Sequence, residues 1–245
     1  MPVEMSTGFW YALHTGDQPA VLDAFDLSDP MPVTMRMGEA ATPVAGHSQW
    51  NARCTYVTPE VDGWTLVFAD YPGPWPPTER MAELSRRFGT AHLYMKGRYS
   101  RGSWCLARDG AILRFFDDDS ENPAIGSPLR AEVALAAGAA SMMDSDDLES
   151  YEIDPAIPER LARVPRIDAS PRTDPADLAA EYHVPGVADA DIDNLLRRCK
   201  VDDLAAALSI DPGSLDLANC VRGHGVLALT ERGRRDGPPR GALPI

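Results

Sequence analysis

Ser103-Trp104-Cys105-Leu106-Ala107-Arg108-Asp109-Gly110-Ala111-Ile112-Leu113-Arg114-Phe115-Phe116 is the stretch that decides the fold. Two apolar, β-prone runs flank Asp109-Gly110, and an Asp-Gly pair supplies the left-handed backbone that a two-residue hairpin loop needs. Strands are therefore expected at about 103–108 and 111–116, joined antiparallel. Immediately upstream, residues 91–96 read as a third strand.

Further upstream, Cys54-Thr55-Tyr56-Val57 and Trp64-Thr65-Leu66-Val67-Phe68 are two more strands, parted by Pro59 and the Asp62-Gly63 turn. Gly8-Phe9-Trp10-Tyr11-Ala12-Leu13 is an aromatic opening strand. Asp17 is expected to cap a short helix from Pro19 to Leu27, and Thr78 a helix to about Phe88 that Gly89 ends. In the second helix Met81, Leu84 and Phe88 share one face, with Arg86 and Arg87 opposite. The fold class expected is α+β: a largely antiparallel sheet covered by helices on one face, with a C-terminal helical segment.

The chain divides by composition. Residues 1–140 read as the α+β sheet domain, with 28–50 irregular and a short helix from Pro128 to Gly138. Residues 141–175, acidic and proline-rich, read as a connector over the surface. Residues 176–230 read as a helical segment packing on the sheet domain, with helices at Asp177–Tyr182, Asp189–Cys199 and Val201–Ser209. Residues 231–245, without apolar periodicity, read as a disordered tail.

The 245 residues are 44% hydrophobic and 24% charged, enough apolar content for a sizeable core. The net charge of −14 argues against nucleic acid and against an anionic membrane surface as partners, since both demand a basic face. No apolar run reaches the roughly 18–20 residues that a membrane-spanning helix needs, and the opening Met1-Pro2-Val3-Glu4-Met5 does not resemble a secretory signal. A cytoplasmic location is the expectation. Cys54, Cys105, Cys199 and Cys220 are too scattered for a zinc or redox motif, so unpaired thiols are expected.

No nucleotide-binding, metalloprotease or nucleophile-elbow motif is present, and no motif calls for a cofactor or a metal. The acidic runs Asp117-Asp118-Asp119 and Asp144-Ser145-Asp146-Asp147 lack the glycine and terminal glutamate of a calcium loop and read as solvated surface. His92, near Tyr94 on one strand, reads as a partly buried structural histidine, with acid–base chemistry as the alternative. Lys96, Arg98 and Tyr99 form the one locally basic, aromatic segment, suited to grip a carboxylate or phosphate. Leu204 to Leu215 has a helix-turn-helix rhythm, but the residues after it carry no Lys or Arg before Arg222 to face DNA.

Val57-Thr58-Pro59-Glu60-Val61-Asp62-Gly63-Trp64-Thr65-Leu66-Val67 resembles a V-T-P-x-V-x-G-W-T-L-V block of an uncharacterised bacterial protein family. Leu84-Ser85-Arg86-Arg87-Phe88-Gly89 and Ala107-Arg108-Asp109-Gly110 are similar to blocks that follow it there. Leu208-Ser209-Ile210-Asp211-Pro212-Gly213-Ser214-Leu215 resembles that family's W-S-V-D-P close, with Leu208 in place of Trp. The resemblance implies one folding unit over about 57–216 and brings no activity with it.

The function expected is that of a non-enzymatic protein-binding protein, immunity- or antitoxin-like, which masks a basic protein partner. The alternative is an enzyme or small-molecule binder of specialised metabolism, with a pocket between the sheet and the C-terminal helices. For the first, the surface expected combines exposed aromatics and acids, Trp75 in the proline loop, Tyr99, and Asp117, Asp118 and Asp119, beside the basic Lys96 and Arg98.

Overall fold

The computed structural model describes residues 8–41, 53–69, 74–96, 102–118, 122–167, 174–215 and 219–237. The expected α+β architecture forms, on an eight-stranded sheet in which every neighbouring pair is antiparallel. Its strands are β1 (Gly8–Leu13), β2 (Ser28–Val33), β3 (Cys54–Val57), β5 (Thr65–Phe68), β6 (Thr90–Lys96), β7 (Gly102–Arg108), β8 (Ala111–Phe116) and β10 (Gly225–Leu229). They lie in the order β2-β10-β3-β5-β1-β6-β7-β8, while β4 (Glu60–Val61) and β9 (Val221–Arg222) pair apart from them.

Both Asp-Gly pairs make the turn their chemistry favours. Asp109 and Gly110 have φ of 49° and 87°, and Asp62 and Gly63 the same values, the left-handed pair of a two-residue hairpin loop. In β8 the register shifts: Leu106 faces Arg114 but Ala107 faces Ile112, so Leu113 is an extra residue. The bulge lets Ile112 and Phe115 share one face of the sheet, and turns Phe116, together with Arg114, to the other.

Helices cover both faces, not one. On one side α1 (Gln18–Ala24) and α3 (Thr78–Phe88) bury Val21, Met81 and Leu84 against Tyr11, Leu13, Leu93, Cys105 and Phe115. Each such side chain taken from water contributes about 1.5–3 kcal/mol. On the other side α4 (Arg130–Ala140), α5 (Ser145–Ser150), α6 (Ala156–Leu161), α7 (Pro175–Leu178), α8 (Asp189–Leu196) and α9 (Val201–Leu208) close over Trp10, Tyr94, Trp104, Leu106 and Phe116. Central strands apolar on both faces, such as β7, need cover on each. Asp17 caps α1, accepting from the Ala20 amide at 3.0 Å. Thr78 is not the cap of α3: the Pro77 carbonyl accepts the first helical bond, from Met81, so Thr78 is already inside the helix.

Four segments differ from expectation. Residues 28–50 carry β2 and α2 (Met35–Ala41), with 42–50 outside the described residues. The prolines of Ser28-Asp29-Pro30-Met31-Pro32-Val33 speak against a strand, yet an edge strand tolerates them because one side of it needs no donors. Within the described residues 141–167 the acidic stretch is not a surface connector: α5, α6 and the turns after them put Leu148, Ile153, Ile157, Leu161 and Val164 into the core, and 168–173 lie outside the described residues. The C-terminal segment supplies β10, inserted between β2 and β3. Residues 231–236 form α10 (Glu231–Asp236), capped by Thr230, and 238–245 lie outside the described residues. Among the described residues, no helix is long and apolar enough to cross a membrane.

Candidate functional site

Trp75 and Asp117, read from sequence as exposed, meet each other instead. The Trp75 Nε1 donates to Asp117 Oδ2 at 2.7 Å, and the indole lies edge-on to Phe115 with ring centroids 5.5 Å apart. Asp117 is 7% exposed and also accepts from Ser103 Oγ at 2.5 Å and Asn122 Nδ2 at 2.8 Å. A buried carboxylate needs such donors, and here they pin the proline loop to the end of β8. Asp118 is half-buried, and Asp119, Arg98 and Tyr99 lie outside the described residues. Lys96 is not an open cation: its Nζ pairs with Asp202 at 2.5 Å, tying β6 to α9.

His92 is 2% exposed, under the C-terminal helices. Its Nδ1 lies 3.1 Å from Tyr94 Oη, which lies 3.1 Å from Ser209 Oγ at the end of α9. Burial first, then the charges of Arg108 and His14, push its pKa down from 6.5 to about 3, so the imidazole is neutral at pH 7. Burial likewise raises the Tyr94 phenol. The relay of Ser209, Tyr94 and His92 fastens α9 to the sheet.

A second buried polar cluster escaped the sequence reading. Glu132 of α4, fully buried, accepts from Trp104 Nε1 at 2.5 Å, from the Leu129 amide at 2.7 Å and from Arg114 Nε at 3.1 Å. Arg114 also donates to the Gly126 carbonyl at 2.7 Å and to Asp193 of α8. Desolvation alone raises the Glu132 pKa, and the guanidinium works against it. Nothing in the spacing of Trp104, Arg114, Glu132 and Asp193 announces the cluster, because the bulge at Leu113 creates it.

The exposed chemistry lies on the helical side. Seventeen of the 37 Asp and Glu but only seven of the 23 Lys and Arg fall in 141–215, which carries −10 of the −14. In the turn between α4 and α5, Met142 is 82% exposed, and Asp144, Asp146 and Glu149 beside it in sequence are also exposed. Asp144 is held as the cap of α5, accepting from the Asp147 amide at 2.9 Å. Asp147 pairs with Arg198, whose guanidinium lies 5.0 Å from the centre of the Tyr151 ring. The Asp144–Asp147 run was visible in the sequence; the exposure of Met142 was not, since its neighbour Met143 packs on the core.

The described residues also form two open clefts of about 440 Å³ each. One is bounded by Met35, Met37, Pro59, Val221 and His224, the other by Arg160, Arg163, Tyr182 and His183. The larger hydrophobic core cluster lies between the sheet and the C-terminal helices. Among the described residues no three His, Cys, Asp or Glu converge as metal ligands. The four thiols are free; burial raises the pKa of Cys105 and of Cys199 to about 12, and Cys220 is exposed.

The chain matches no family model, no curated protein and no solved structure.

Proposed function

We propose that the protein is a non-enzymatic binder, immunity- or antitoxin-like, that docks a basic protein partner on the acidic face around Met142. The observation that carries this reading is a methionine at 82% exposure beside the exposed Asp144, Asp146 and Glu149. Methionine is a large, adaptable apolar side chain, suited to anchor a partner that the surrounding carboxylates attract. Carboxylates around an anchor give little affinity individually, but together they steer a basic partner and reject acidic ones. The −10 carried by residues 141–215 makes that steering cumulative.

Affinity capture from the source cell, with wild type and an M142E/D144K/D146K variant side by side, is the test. A basic protein retained by wild type and lost by the variant is expected, with capture falling steeply as salt shortens the screening length from about 10 Å at 0.1 M. The same set of proteins on both columns would sink the reading.

A further inference from the structure

The cleft between the end of α6 and residues 182–185 is a positive island in the most acidic part of the chain. No acidic residue occurs from Arg160 to Ile167, whereas Arg160, Arg163 and Arg166 all do, and all three are exposed. Arg160 and Arg163 stand at the rim of the cleft, whose volume is about 440 Å³, and Val164, Tyr182, Val184 and Pro185 form its apolar part. The site is held from several directions. Arg160 Nη1 donates to the Gly186 carbonyl, the Val187 amide donates to the Val184 carbonyl at 3.1 Å, and the Arg130 guanidinium lies 5.9 Å from the centre of the Tyr182 ring.

We propose that this cleft binds a small carboxylate with a planar apolar body, the carboxylate on Arg160 and Arg163 and the ring against Tyr182, Val164 and Pro185. A guanidinium presents its donors as a fork that matches the two oxygens of a carboxylate, and the bond to Gly186 already orients one of the two forks. The nearby acids do not cancel the site. Glu181 and Asp189 share His183, at 2.7 and 3.6 Å, and among the described residues that line the cleft Glu159 is the one carboxylate, against two guanidiniums. The remaining negative charge of the segment acts from farther away, and water and salt screen it over about 8 Å, while the forks act at contact. Pairing an apolar wall with a few convergent polar groups is the common form of a small-molecule site, and the volume lies in the usual range.

Calorimetric titration of the full chain with benzoate and, separately, with acetate tests the proposal. Saturable benzoate binding at least tenfold tighter than acetate is expected, because only benzoate has a ring for the apolar wall. R163Q is expected to weaken benzoate at least tenfold with an unchanged circular dichroism spectrum. R198Q removes the same charge outside the cleft and is expected to leave the affinity as it was. Absence of saturable benzoate binding, equal affinity for both acids, or equal losses in R163Q and R198Q would each overturn the proposal.

Discussion

Arg114 and Glu132 are as inaccessible as the leucines around them, and each is held by the other and by further partners, Asp193 and the Gly126 carbonyl for Arg114, Trp104 and the Leu129 amide for Glu132. Removing one side of a buried pair strands a charge, which costs about 3–5 kcal/mol, whereas replacing both by apolar groups of similar size is often close to neutral. Glu132→Leu is accordingly expected to lower stability by about that amount in urea titration, and the double variant R114M/E132L to recover part of it, with Trp104 and Asp193 still lacking their partners. If the double variant falls further than the single one, the pair is not acting as a unit. His92 makes a separate prediction in pH. Its folded pKa of about 3 lies below the ordinary 6.5, so between those values the unfolded chain binds a proton that the folded one refuses. Stability is therefore expected to fall as pH drops from about 6.5 toward 3, and the fall to be shallower in H92Q. Parallel urea midpoints for the two proteins from pH 7 to pH 4 would contradict this assignment.

Among the elements, the most exacting joint is the strap that follows β8. Ile125 exchanges both main-chain bonds with Phe115, each at 2.9 Å, and Gly126 then turns with φ of 74°. A methyl group at Gly126 would sit 2.1 Å from the Leu113 carbonyl oxygen, in a backbone region that side chains disfavour. Gly126→Ala is expected to cost at least about 1–2 kcal/mol from the dihedral alone, and to speed amide exchange at Ile125 and Phe115. A wild-type exchange rate at both would show that the strap relaxes freely. The Asp-Gly hairpins and α3 were legible because Asp-Gly turns, alternation and a helix stop are local signals that agree with the packing. The strand β10 was not legible: Gly225-Val226-Leu227-Ala228-Leu229 is short, and its partners Val57 and Pro32 lie far away in sequence. The site was legible only in its charge. Asp117 looked solvated because no sequence pattern foretells that Ser103, Trp75 and Asn122 converge on it.

Over the whole molecule, charge is spread unevenly, with −10 of −14 on residues 141–215. Self-repulsion on that side is expected to make the chain more stable as salt rises from low concentration to about 0.5 M, with thermal denaturation as the measurement. A melting temperature that falls over this range would mean that exposed ion pairs outweigh the repulsion. The two ends of the sheet belong to this scale as well. At one end Pro30 and Pro32 have no donors, so the ladder to β10 runs through Met31 and Val33, and the open side of β2 presents proline nitrogens. At the other, Ile125 already occupies Phe115 on β8. A ribbon terminated in this way offers an arriving strand fewer vacant amides among its described edge residues than two open borders would.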